Sequence, residues 1–205
     1  MLVTRNQQVR HVEHHLARLE RSAAALGFRF DHEHVQSELE AGVAGAAAGI
    51  ASRLRLALAH DGYVEINSVP LLPLPDGRVE LLIESHPLSG PRPLAGHKTT
   101  LREEYDEGVR RAESRGAFDS LFFTTDGRLV EGGRSNVFVL VDGRWWTPPL
   151  ADGALPGVMR SLLLEDPAWQ AGERTLRLSD LRRARSLIVC NALRGAVPGR
   201  VMIDP

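Results

Sequence analysis

The sequence predicts a mixed α/β (α+β) chain in two lobes, a smaller N-terminal α/β lobe and a strand-rich C-terminal lobe. Three observations predict it. Apolar residues recur at helical spacing in the first fifty positions. Short alternating or apolar runs separated by Asp-Gly pairs dominate after residue 116. Between them lies HPLSGPRPLAG, rich in Pro, Gly and Ser and without periodicity. The expected organisation is therefore a lobe over 1–86, a linker over 87–96 and a second lobe over 97–205, with room for a site between the lobes.

Each element follows from its local pattern. His14 to Leu26 carries Leu16, Leu19, Ala23 and Leu26 on one helical face, and Gly27 supplies a stop. Val35 to Ile50 reads as a second helix weakened by Gly42, Gly45 and Gly49, each costing about 1 kcal/mol against Ala. Ser52 to Ala59 alternates. Leu54, Leu56 and Leu58 share one face, Arg53 and Arg55 the other. Asp61-Gly62 is a turn and Val79 to Glu84 a strand. In the second half, Thr100 to Arg115 reads as a helix. Hairpins are expected between Ser120–Thr124 and Arg128–Val130, and between Val137–Val141 and Arg144–Trp146. Pro156 and Gly157 open a helix running to Leu164. Ser179 caps a short helix over Asp180–Ala184, and Ser186–Cys190 is an apolar strand.

Composition narrows the function classes. Lys plus Arg (25) nearly balances Asp plus Glu (26), which gives no field suited to nucleic acid or an anionic membrane, so a small-molecule substrate is expected. One cysteine, Cys190, cannot form an internal disulfide, and it reads as a small buried hydrophobe. No apolar run approaches membrane-spanning length, and MLVTRNQQVRHVEHH lacks the core of a signal peptide, so the expected location is cytoplasmic. His11, His14, His15, His32 and His34 read as a solvated helix edge rather than a metal site, because ligation needs convergent ligands. AGVAGAAAG lacks the Lys-Ser/Thr of a nucleotide loop.

Some residues suggest chemistry on their own. Pro156-Gly157 before a helix leaves the backbone N–H groups of Val158 and Met159 free to hold a phosphate. Arg53 and Arg55, with Arg102 and Arg194, are candidate partners for substrate carboxylates. Each taken singly is equally well a surface ion pair.

Read together, several segments resemble the class IV aminotransferases. They are HLARL, SA and LGF in 15–28; RLRL in 53–56; HKTT in 97–100 with Arg102 and Tyr105; EGGRSNVF in 131–138; TPPL in 147–150; LPGVMR in 155–160; and CNALRG in 190–195. The order and spacing hold over nearly the whole chain. Within the family the texture is similar to the aminodeoxychorismate lyases, in particular to lyase-like domains fused to aminodeoxychorismate synthase.

The resemblance implies a fold-type IV architecture like that of the D-amino-acid aminotransferases, with pyridoxal 5'-phosphate as cofactor. It makes Lys98 the lysine that holds the cofactor and moves protons, and Glu131 the carboxylate beside the pyridine nitrogen. It makes Arg18 and the Asn191-Ala192 turn phosphate contacts, while Arg160 points elsewhere and His97 is structural. It implies cleavage of 4-amino-4-deoxychorismate to 4-aminobenzoate and pyruvate, a step toward folate, by a homodimer. Alternatives are a D- or branched-chain aminotransferase, or a catalytically weak cofactor-binding partner of aminodeoxychorismate synthase. Relatives carry a further strand before the counterpart of Val3, so a missing or short first strand with an exposed sheet edge is expected.

Overall fold

The computed structural model describes residues 1–74, 77–89 and 92–202. The chain divides into two compact units, Met1–Leu74 and Pro75–Pro205.

The first unit comprises β1 (Leu2–Val3), α1 (Val12–Leu26), α2 (His32–Ala44), β2 (Ser52–Leu58) and β3 (Val64–Pro70). Its antiparallel sheet has the order β1-β2-β3. The short β1 pairs with Ser52 and Arg53 of β2, and Val3 also bridges to Val9. As the alternation in β2 predicts, Leu54 is buried and Arg53 and Arg55 are exposed. Asp31 caps α2 by accepting from the His34 N–H. That helix starts earlier than expected and ends at Ala44 rather than Ile50. The chain turns beyond Gly45, where the helical penalty of Gly45 and Gly49 falls. Val3, Leu16, Val35, Leu39, Leu54 and Val64 form the core.

The second unit comprises β4 (Val79–Ile83), α3 (Glu103–Ser114), β5 (Asp119–Phe123), β6 (Leu129–Gly132), β7 (Asn136–Val141), β8 (Arg144–Thr147), α4 (Val158–Glu165), β9 (Gly172–Glu173), α5 (Leu178–Arg183), β10 (Ser186–Asn191) and β11 (Gly195–Val201). They form a mixed eight-stranded sheet in the order β6-β5-β4-β11-β10-β7-β8-β9. Both expected hairpins are present, β5 with β6 and β7 with β8. Leu81, Leu121, Leu129, Val137, Val139 and Val189 lie at its centre. Among the described residues, no helix is long and apolar enough to cross a membrane.

Three expectations are corrected. The units divide at Leu74/Pro75 rather than at 86, because β4 pairs in parallel with both β11 and β5 and so belongs to the second sheet. The stretch 87–96 is no linker between the units. Leu88 is buried and bridges to Thr124, and Arg92–His97 forms turns closed by Arg92 and Leu94 carbonyls. Gly90 and Pro91 of that stretch lie outside the described residues. Finally, α5 begins at Leu178, with Arg177 rather than Ser179 at its cap. The Arg177 N–H donates to Asp180 Oδ2 at 2.8 Å, which fixes the start two residues earlier.

Three strands went unforeseen, β3, β9 and β11. The sequence of β11, GAVPGRV, carries two glycines and a proline, which mask a strand. Pro198 is tolerated because β4 pairs only from Gly199 onward, so at Pro198 the strand has a neighbour on one side only.

Candidate active site

Glu131 lies on β6, all four residues of which are buried. Its carboxylate is solvated by the protein. Oε1 accepts from the Tyr105 hydroxyl at 2.8 Å; Oε2 accepts from Asn136 Nδ2 at 3.0 Å and from the Leu155 N–H at 3.1 Å. Burial pushes the Glu131 carboxyl above its ordinary value. The Tyr105 and Leu155 hydrogen bonds and the charges of Lys98 and Arg92 oppose that rise. Burial, aided by Glu131, also pushes the Tyr105 phenol up, so the hydroxyl keeps its proton as a donor.

Asn136 ties this carboxylate to the start of α4. Its Nδ2 also donates to the Leu155 carbonyl at 2.9 Å. A carbonyl only accepts, so the amide orientation is fixed. Oδ1 then lies against Gly157, the residue before Val158, where any β-carbon would collide with it. Glycine is therefore required there by close approach. The first turn of α4 has no side-chain cap. Its N–H groups at Val158 and Met159 are of the kind that bind anions.

The turn joining β6 to β7 is fastened from below. Asp119, fully buried, accepts from the Ser135 hydroxyl at 2.5 Å and from the N–H groups of Ser120 and Arg134. Gly132 passes so close that a side chain would strike the carboxylate. Burial raises the Asp119 carboxyl against these donors.

A pocket of about 200 Å³ in the second unit brings Lys98, Glu131 and Arg102 together with Arg92, His97, Tyr105 and Leu155. Lys98 is exposed at its wall. Arg102, before the first turn of α3, donates to the Gly133 carbonyl and pairs with Asp106 at 2.7 Å. Val158 and Met159 open α4, linked to the pocket through Asn136 and Leu155. Asn191 ends β10. Its Oδ1 accepts from the Leu193 and Arg194 N–H groups and so shapes the turn through Ala192. Arg160 points away as expected, donating to the Pro148 carbonyl and pairing with Glu173. Burial pushes the Cys190 thiol up to about 12, consistent with an inert small hydrophobe. Arg18 (half-buried on α1), Arg53 and Arg55 belong to the first unit.

Sequence reasoning gave no role to Arg92, Tyr105, Asn136 or Asp119. Tyr105 and Asn136 stand in the family-like motifs, which was the available signal. Arg92 stands in a Pro- and Gly-rich stretch with no pattern to mark it.

The chain belongs to the class IV aminotransferase family, whose profile, "Amino-transferase class IV", matches residues 1–201. A Schizosaccharomyces pombe protein named "Putative aminodeoxychorismate lyase" is 29% identical over 196 residues, spanning 93% of this chain and 84% of that protein. The crystal structure of a "Putative amino-acid aminotransferase" from Mesorhizobium loti is 34% identical with a TM-score of 0.90, covering 98% of this chain and 97% of the other. A hypothetical aminotransferase from Mycobacterium tuberculosis, in a PLP-bound form, is 25% identical with a TM-score of 0.76, covering 98% of this chain and 78% of that one. The fold is fold-type IV, as the resemblance implied.

Proposed function

We propose that this chain is a pyridoxal-phosphate lyase that converts 4-amino-4-deoxychorismate to 4-aminobenzoate and pyruvate. The observation that carries the reading is the pocket shared by the Lys98 amine and the buried Glu131 carboxylate. A carboxylate offers about four acceptor positions. Three on Glu131 are taken by described donors, and the one left, on Oε1, suits a protonated ring nitrogen. The residues therefore fit the cofactor.

When bound, pyridoxal phosphate supplies a sink for carbanion electrons at the substrate's amine-bearing carbon. Lys98 would hold the cofactor and, once displaced by the substrate amine, remove the ring proton at that carbon. Glu131 would keep the ring nitrogen protonated. The N–H groups of Val158 and Met159, with Arg18, Asn191 and Ala192, would hold the phosphate. Arg53, Arg55 and Arg102 are the candidates for the two substrate carboxylates. In the net reaction the ring proton leaves, the C–O bond to the enolpyruvyl group breaks, the released enolpyruvate gains a proton to become pyruvate, and the ring becomes aromatic. No amino acceptor is consumed.

Likeness to the S. pombe protein over most of both chains supports the lyase. Likeness to the M. loti structure supports the second reading, an amino-acid aminotransferase. The deciding assay follows 4-aminobenzoate release from aminodeoxychorismate made in place by a separate synthase. The lyase reading expects product above the protein-free rate, falling by about 10³-fold or more in Lys98→Ala. If there is no product, yet amino groups move between amino and keto acids with the same Lys98 dependence, the transferase reading replaces it. A homodimer is part of the proposal, and sedimentation measures it. Copurification with aminodeoxychorismate synthase, joined to an inactive result, would instead favour the partner role.

A further inference from the structure

Glu131 is coupled to a cation that it does not touch. Arg92 Nη2 donates to the Tyr105 hydroxyl oxygen at 2.6 Å, and that hydroxyl donates to Glu131 Oε1 at 2.8 Å. The Arg92 guanidinium also lies 4.9 Å from the centre of the Tyr105 ring. A guanidinium can only donate, and a phenol has one proton, so the direction of the chain is fixed: Arg92 to Tyr105 to Glu131.

The far side of Glu131 imposes the same polarity. Asn136 Nδ2 and the Leu155 N–H both present hydrogens to Oε2. A proton on Oε2 would face two donors. The phenol hydrogen holds one position on Oε1, because Arg92 offers the phenol oxygen no acceptor, so a proton on Oε1 could stand only at the position left for the ring nitrogen. With a protonated ring nitrogen at that position, the network is self-consistent only when Glu131 is an anion.

Arg92 is held there at a cost, because its Nη1 is buried with no hydrogen-bond partner among the described residues. A residue needed only for packing would not require a guanidinium in that position.

We propose that Arg92 and Tyr105 are positioning residues for the proposed reaction: a two-bond relay that holds Glu131 in one orientation and in its anionic form. This rests on the reading of Glu131 as the partner of the cofactor's ring nitrogen. The relay sets how firmly that nitrogen keeps its proton, although Arg92 need not touch cofactor or substrate. The direction of each influence on the Glu131 carboxyl agrees, since burial raises it while Tyr105 and Arg92 lower it. Lys98, in the same pocket, is the other cation acting on Glu131. Asp119 lies behind Gly132, and Arg102 is occupied by Gly133 and Asp106. All three stay constant in the test below.

The experiment uses the cofactor-free full chain and the carbon-13 carboxyl resonance of Glu131, assigned by its loss in Glu131→Gln. The relay expects the titration midpoint to rise by about one pH unit in Arg92→Leu, as for a carboxylate losing a nearby cation. It expects a rise in Tyr105→Phe, which cuts the chain and leaves both ends, and recovery of most of the difference in Arg92→Lys. A midpoint unchanged in Arg92→Leu and Tyr105→Phe overturns the relay. Should Arg92→Leu not fold, the near-isosteric Tyr105→Phe decides alone. A parallel titration of pyridoxal phosphate separates the two ideas. If the midpoints move as expected but Glu131→Gln binds cofactor with an unaltered absorption band, the relay stands and the ring-nitrogen role falls.

Discussion

Two buried carboxylates stand on paired strands and do opposite things with similar hydrogen bonds. Asp119 on β5 and Glu131 on β6 each accept from three groups, and burial raises both. The donors to Asp119 all come from its own neighbourhood: the next residue and the turn after β6. Its exposure is 0%, and the Arg134 N–H is shared between its two oxygens, at 3.3 and 3.2 Å, so its acceptor positions are all directed at that turn and the adjoining residue. The donors to Glu131 come from α3, β7 and the segment before α4, and one acceptor position is left over on a pocket wall. A buried charge ringed by local donors is a staple. One that gathers distant segments and stays incompletely satisfied is a place where a ligand completes the structure.

The sharpest way to break this comparison is to neutralise each carboxylate. Glu131→Gln should lower 4-aminobenzoate release by about 10²-fold or more at a cost in stability of only about 1 kcal/mol, since the amide keeps the shape and the Oε2 acceptor but turns an N–H toward the Tyr105 hydrogen. Asp119→Ala should do the reverse in kind, costing about 3 kcal/mol by denaturant unfolding because it strands two backbone N–H groups and a hydroxyl. Equal loss of stability in the two variants would erase the distinction.

The smallest effect concerns pH. The folded-state value of Asp119 is raised, so its contribution to stability is complete below its unfolded value, about pH 4, and is lost as pH climbs through the folded value. Asp119→Asn has no such loss. Its destabilisation relative to the parent should therefore be larger at pH 4 than at pH 7. A difference that grows with pH instead would mean that Asp119 is held as a favoured anion.

How much of this was legible follows the same division. Alternation exposed β2 with its outward arginines, and turn pairs exposed both hairpins, because these are local patterns with a fixed period. Lys98 and Glu131 were reached through motif likeness. The structure then placed them on one pocket, which no spacing argument could do. Strand β11 was hidden by Pro198, since a sequence does not say which side of a strand lacks a neighbour. Arg92 was hidden because a Pro- and Gly-rich stretch looks like a tether whether or not it packs. The lobe boundary at 86 failed for a topological reason. Strand β4 is close in sequence to the first unit, but it finds both its partners, β5 and β11, farther along the chain.

Asn136 has one further consequence. It is bonded to Glu131 and Leu155 and pressed on Gly157, so the separation between the carboxylate and the start of α4 is set by a single short side chain. Under the proposed function the site thus contains a gauge. A guest that meets both ends must have the right span, and a shorter one, such as a ring without its phosphate arm, would be graded by length before any chemistry began.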